Sequence, residues 1–314
     1  MFNTLNLDLG FKWTKAERGG KFYRQPTIVG EAKDMFEQNI KSDHFIYNDE
    51  LFVGNVALEY SDIKYFSLNN KKAEAETSDV VMKTTLGYLA RKDRVKLVSG
   101  LPINFYFTQK ESFKEKLLGL ADEGEYTIRK GRGKNFTVQP IVEDCKMVPQ
   151  GLGVTMDYLL DEDGRIAKVK AAQQKILTVD LGFYTLNLLG FSKSSIMKES
   201  KSVLVGVERA YTLLQGYIQK LTGHTPAIYE LDPYVISGQY QGHNIVPLIQ
   251  RAFKSLASQI KNEIESLNTE FDIYLIAGGA ARYIYEYLNL PNKVLMDQLA
   301  QVRGYGKIGK KSWK

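Results

Sequence analysis

The tetrapeptide Asp-Leu-Gly-Phe occurs twice, at residues 8–11 and 180–183, each time closing an apolar run. A lone copy is an ordinary way to end a strand in a turn; one copy in each half of the chain points to a shared task. Gly10 and Gly182 each permit a tight hairpin whose backbone N–H groups face an anion. Asp8 and Asp180, acting together, hold a hydrated Mg²⁺ through water, because that ion is usually met by one or two carboxylates plus phosphate oxygens. Lys15, or Lys12 in its stead, neutralises phosphate charge beside the first copy. In Tyr274–Ala281 a third apolar run ends at Gly278-Gly279, where a ligand can approach closely, and a helix expected through about Leu288 offers N–H groups to an anion. The three elements together read as a nucleotide held between two domains.

Strands and helices must position these residues. Phe2–Leu9 has a strand pattern, and short extended runs mark a β-rich subdomain over about 22–75. Ser78 is expected to cap a helix through about Lys92 that buries Val81, Leu86 and Leu89, with Val95–Val98 following as a strand. The chain crosses to a second domain near Val148-Pro149-Gln150-Gly151, and a helix over Leu152–Leu160 stops at Asp161–Gly164. From Asn244, apolar residues at Ile245, Ile249, Phe253, Leu256, Ile260, Ile264 and Leu267 predict a helix packed on the second sheet.

The 314 residues are 44% hydrophobic and 25% charged, enough for two domains with their own cores. Cys145 stands alone, so an internal disulfide is excluded, and no apolar run of about 18 residues marks a membrane span. A cytoplasmic protein is expected. The net charge of +6 is dispersed over 42 basic and 36 acidic residues, and the clusters at Arg129–Lys134 and Lys307–Lys314 read as solvated surface. His44, His224 and His243 are scattered, which supports neither a zinc site nor a histidine triad. No P-loop is present.

In their order and spacing the motifs resemble the actin-like ATPases of the superfamily that joins actin, heat-shock chaperones and sugar kinases, and most of all the bacterial plasmid-segregation branch of ParM/StbA type. Asp8-Leu9-Gly10 with Lys15 matches the first phosphate hairpin, Asp180-Leu181-Gly182 with Thr185 the second, and Leu275–Ala281 the adenosine motif. Leu101-Pro102 and Val148-Pro149-Gln150 fall at the first connecting region, and Ala300–Tyr305 resembles the second. The resemblance implies an α/β, actin-like (ribonuclease H-like) fold of two domains with a nucleotide cleft between them. Domain I would be 1–150, with a segment of about 296–314 returning to it, and domain II 151–295. It further implies ATP or ADP, with GTP as an option, together with Mg²⁺. Gln150 would orient the attacking water, and Glu208 and Arg209 would reach the ribose and base. Hydrolysis would be coupled to self-association into helical filaments, for plasmid segregation or another cytomotive role. A DNA-binding adaptor protein would be the direct partner, DNA would be reached only through it, and no membrane would be involved. The alternative is a small-metabolite kinase of the same superfamily, with a chaperone-like switch third. The second hairpin departs from the family pattern: Phe183 and Tyr184 stand where small residues are usual, and Asn187 replaces a final Asp.

Overall fold

The computed structural model describes residues 4–66 and 76–313. It divides into two compact units, one of Met1–Pro149, Leu160–Arg165 and Gln301–Lys314, the other of Gln150–Leu159 and Ile166–Ala300. In the first unit, β1 (Thr4–Leu9), β2 (Trp13–Arg18) and β3 (Lys21–Pro26) form an antiparallel meander. Next come β4 (Ile28–Glu31), β5 (Phe45–Tyr47), β6 (Leu51–Val53), α1 (Asn55–Tyr60), β7 (Lys64–Phe66) and α2 (Glu76–Ala90). The unit continues through β8 (Arg94–Leu101), α3 (Ile103–Leu118), β9 (Tyr126–Lys130), β10 (Phe136–Val138) and β11 (Ile141–Pro149). Two sheets result, ordered β11-β8-β1-β2-β3 and β10-β9-β5-β6-β4-β7. Parallel pairing of β1 with β8 makes β1 an inner strand covered on both faces, so its polar residues, Asn6 and Asp8, are buried along with Leu5, Leu7 and Leu9. Of the β-rich stretch expected over 22–75, residues 67–75 lie outside the described residues, as do Phe2 and Asn3 of the expected first strand.

Three local expectations are corrected. Ser78 does not cap α2: it lies inside the helix and is buried, and the helix ends at Ala90 because Arg91 takes a left-handed φ of 57° while its N–H closes on the Gly87 carbonyl at 3.0 Å. The basic stretch at 129–134 is only partly solvated, since Lys130 donates to the Tyr88 hydroxyl at 2.9 Å. The C-terminal segment is likewise no free tail. It forms a helix, Ala300–Ser312, in which Tyr305 is fully buried and Lys307, also buried, donates to the Leu160 carbonyl at 2.9 Å. Trp313 donates its indole N–H to Asp144 at 2.7 Å.

The second unit opens with α4 (Leu152–Leu159) and α5 (Val169–Ala172), then β12 (Ile176–Leu181), β13 (Leu186–Ser192), β14 (Ser195–Ile196), β15 (Lys201–Val203) and α6 (Val207–Thr222). After α7 (Asp232–Ser237) comes the small ribbon β16 (Gln239–Tyr240) with β17 (His243–Asn244), then α8 (Val246–Glu265), β18 (Ile273–Gly278), α9 (Ala281–Ile284) and β19 (Lys293–Leu295). The sheet is ordered β14-β13-β12-β18-β19, with β15 also on β13. Helix α8 starts where Asn244 accepts the Val246 N–H at 3.0 Å, with Pro247 in the first turn, and buries Ile249, Phe253, Leu256, Ile260 and Ile264 in the core it shares with α6. Among the described residues no helix is long and apolar enough to cross a membrane.

His44 gives the first unit a pH response. The residue is 1% exposed, its Nδ1 accepts the Lys41 N–H at 3.2 Å, and Nε2 lies 3.9 Å from Glu59. Burial holds its pKa below the ordinary 6.5, against the pull of Asp43 and Glu59. The unfolded chain therefore takes up the proton first, so the contribution of neutral His44 is complete above about pH 6.5 and declines as pH falls below it. Urea unfolding followed from pH 8 to 5 is expected to show stability falling below that point, and His44→Gln to flatten the fall.

Candidate functional site

In the first hairpin the register sets Asp8 opposite Lys15, and the Lys15 ammonium lies 3.4 Å from the Asp8 carboxylate. The turn needs Gly10 because a Cβ there would fall on the Trp13 carbonyl oxygen. A buried threonine pair fixes the turn from behind. Thr27 donates its hydroxyl to the Gly10 carbonyl at 2.8 Å, its N–H to the Lys12 carbonyl at 2.8 Å, and shares a 2.9 Å hydrogen bond with the Thr14 hydroxyl. Lys12 is buried at the turn. Sequence reasoning missed Thr14 and Thr27, which meet only after β3 has folded back.

The second hairpin repeats the geometry. Asp180 stands opposite Asn187, again seven residues on, and the Gly182 N–H donates to the Thr185 carbonyl at 2.8 Å. That N–H is therefore committed to the turn, and the free donors expected of Gly182 must come from its neighbours. Asp180 is half-buried, Thr185 buried. Helix α6 docks on the same turn, because the Val207 and Glu208 N–H groups donate to the carbonyls of Gly182 and Phe183 at 3.1 and 2.9 Å. Glu208 accepts from the Thr212 hydroxyl at 3.0 Å. Arg209 is held along its own unit, with bonds of 2.8 Å to Gln259 and to the Leu204 carbonyl, so stacking on a base requires release of both. The Phe183 ring turns into the core against Tyr184, Tyr211 and Tyr229, and the Tyr184 and Tyr229 hydroxyls hydrogen-bond each other. Burial raises the pKa of both phenols, which keeps them protonated.

Gly278 adjoins this hairpin: it pairs with Leu181 across β12 and β18 at φ 101°, and a Cβ would fall on the Leu181 carbonyl. Gly279 has open space where a side chain would stand, and its carbonyl accepts from Gln298 at 3.1 Å. The helix expected through Leu288 is shorter: α9 is a single turn ending at Ile284, followed by a 3₁₀ turn at Tyr285–Tyr287. Gln150, buried between β11 and α4, accepts from the Asn187 amide at 3.3 Å, and Asn187 in turn accepts from the Ser202 hydroxyl at 2.6 Å. Asp8, Gly10, Lys12 and Lys15 thus share one hairpin in the first unit. Gln150, Asp180, Gly182, Thr185, Glu208, Gly278 and Gly279 gather around the other in the second unit. Among the described residues no group of three or more His, Cys, Asp or Glu is placed to hold a metal.

Two lobes, each built on a sheet that ends in an Asp-x-Gly hairpin, define the actin-like α/β fold. Residues 6–153 match the family described as Actin like proteins N terminal domain. Among solved structures, a ParM filament of 15 strands from Clostridium botulinum aligns with TM-score 0.80 and 22% identity over 99% of this chain and 100% of the other. An archaeal actin homologue aligns with TM-score 0.78 and 17% identity over 99% and 100%. Bacillus thuringiensis ParM with ATP aligns with TM-score 0.68 and 16% identity over 98% of each chain. Identities this low establish the fold. No curated protein matches the chain. The resemblance to actin-like proteins read from the motifs is thereby borne out.

The two glycines after β18 differ in a way that stability measurements resolve. Gly278→Ala adds a left-handed strain to a backbone collision and is expected to cost about 2–4 kcal/mol in denaturant unfolding. Gly279→Ala, with open space around it, is expected to cost less than about 1 kcal/mol.

Proposed function

We propose that this chain is an ATPase that polymerises into filaments with ATP and Mg²⁺. The observation that carries the reading is the repeat: two Asp-x-Gly hairpins, each with its aspartate set opposite the residue seven positions on, in two units of an actin-like fold. Under this reading both hairpins act on one nucleotide. Asp8 and Asp180 would hold Mg²⁺ through water, and their hard oxygen donors fit that ion. Lys15 and Lys12 would balance phosphate charge, Gly278 and Gly279 would admit the adenosine, and Glu208 and Arg209 would reach the ribose and base. Gln150 would position the attacking water, the remaining task in phosphoryl transfer once charge and alignment are supplied. That a Clostridium botulinum ParM filament and a Bacillus thuringiensis ParM with ATP share the fold supports both the nucleotide and the assembly.

Nucleotide bound by both units would hold them in one arrangement, and a head-to-tail contact that touches both is best made in that arrangement. ATP would thus favour growth, and hydrolysis would withdraw the bias. The role would be plasmid segregation or another cytomotive task, with a DNA-binding adaptor protein as the direct partner. The dispersed charge of +6 accords with DNA reached indirectly, since a direct binder more often concentrates its basic residues on one face.

Light scattering of the purified chain is expected to rise on adding ATP with Mg²⁺, after a lag and above a critical concentration, and to fall as ADP accumulates; GTP serves as the parallel arm. Flat scattering at tens of micromolar protein, with phosphate passed to a sugar or small acid, would establish the kinase instead. Gln150→Ala is expected to keep nucleotide but slow phosphate release about 10- to 100-fold, on the order of 1.4–2.7 kcal/mol of barrier, and so to lengthen filament lifetime.

A further inference from the structure

Strand register in the second unit draws a polar row across the sheet. Ala277 of β18 pairs with Asp180 of β12, Asp180 with Asn187 of β13, and Asn187 with Ser202 of β15. Directly opposed residues on neighbouring strands share a face. The row therefore runs from the candidate metal carboxylate, through Asn187, to a serine that no motif singles out, and Gln150 joins it from the loop before α4. Asn187, Ser202 and Gln150 are all buried, where a hydrogen bond lost is costly and amide orientation is set by partners rather than by water.

In this structure the bonds run in one direction. The Ser202 hydroxyl donates to Asn187 Oδ1, which leaves Asn187 Nδ2 as the donor to Gln150 Oε1. An amide cannot turn its oxygen and its nitrogen to the same place. With Oε1 turned inward to Asn187, Gln150 faces the other way with its Nε2 donors. A nucleophilic water is best oriented by an acceptor that takes one of its protons and leaves a lone pair for phosphorus; a donor still holds the water in place but engages one of its lone pairs, and so orients it less well.

We propose that Asn187 and Ser202 are positioning residues that fix the Gln150 amide with its nitrogen outward, and thereby hold hydrolysis slow. This rests on the reading of Gln150 given above. An aspartate at 187 accepts only, so it takes the Ser202 hydroxyl on one oxygen and can meet Gln150 only through Nε2, which turns the Gln150 oxygen outward. Loss of the Ser202 hydroxyl frees Asn187 to turn over and lets both orientations of Gln150 be populated.

The test is phosphate release at saturating Mg²⁺ATP, with nucleotide affinity measured in parallel to confirm an intact fold. Asn187→Asp is expected to raise turnover about 3- to 10-fold, and Ser202→Ala by a smaller factor, whereas merely structural damage would lower it. Ser202→Thr keeps the hydroxyl and is expected to restore the wild-type rate. Both increases should vanish when combined with Gln150→Ala, which shows that they act through that side chain. Turnover unchanged in Gln150→Ala alone overturns the reading of Gln150 and this inference with it. Turnover slowed by Gln150→Ala, but not raised by Asn187→Asp, or raised equally with and without Gln150, overturns the inference alone.

Discussion

A carboxylate at the end of a strand covered on both faces is tolerated only if something meets its charge, and in this fold the hairpin register decides what that is. In the first unit the partner is a cation: the Asp8 and Lys15 side chains are 10% and 13% exposed, and their charged atoms lie 3.4 Å apart. At that separation and burial, desolvation offsets much of the attraction. A divalent cation for the aspartate and a phosphate for the lysine would improve on the pair. In the second unit the same position holds a neutral amide, and Asp180 is correspondingly less buried than Asp8. One device is thus used twice with different charge, set by the residue seven positions after each aspartate.

Both turns are held by neighbouring elements rather than left to themselves. Thr27 donates its hydroxyl to the Gly10 carbonyl and its N–H to the Lys12 carbonyl, so the first turn is fixed from the neighbouring strand end. The second is fixed by α6, whose opening N–H groups are used on the hairpin carbonyls instead of standing free for a ligand. Groups that bind a ligand at strand ends fixed in this way need little ordering on binding, which favours affinity. The phenylalanine of the second hairpin fits the same logic: its ring is drawn into the core and anchors the turn.

What was legible in the sequence was local. Asp8, Gly10, Asp180, Gly182 and Gly278 declare themselves because strand period and turn chemistry act over a few residues, and the apolar stripe from Ile245 fixed α8 for the same reason. The hidden parts need residues distant in the chain. Thr14 meets Thr27, and Ser202 meets Asn187, only through strand pairing. Lys307 reads as tail surface until the segment at Leu160 returns to receive its ammonium. Serine favours the cap position, which suggests Ser78 as a cap, but α2 begins before it and buries it. The composition continues to suit a helix beyond Ile284, where the chain instead tightens into a 3₁₀ turn.

Under the proposed function both hairpins would act on one Mg²⁺-nucleotide. Titration calorimetry of Mg²⁺ATP against the wild-type chain, Asp8→Ala, Asp180→Ala and the double variant tests it most directly. Each single change is expected to lower affinity about tenfold or more, and the double change to lose clearly less than the two losses combined, because both carboxylates act on one ion. Wild-type affinity in either single variant, or losses that simply add, would contradict it.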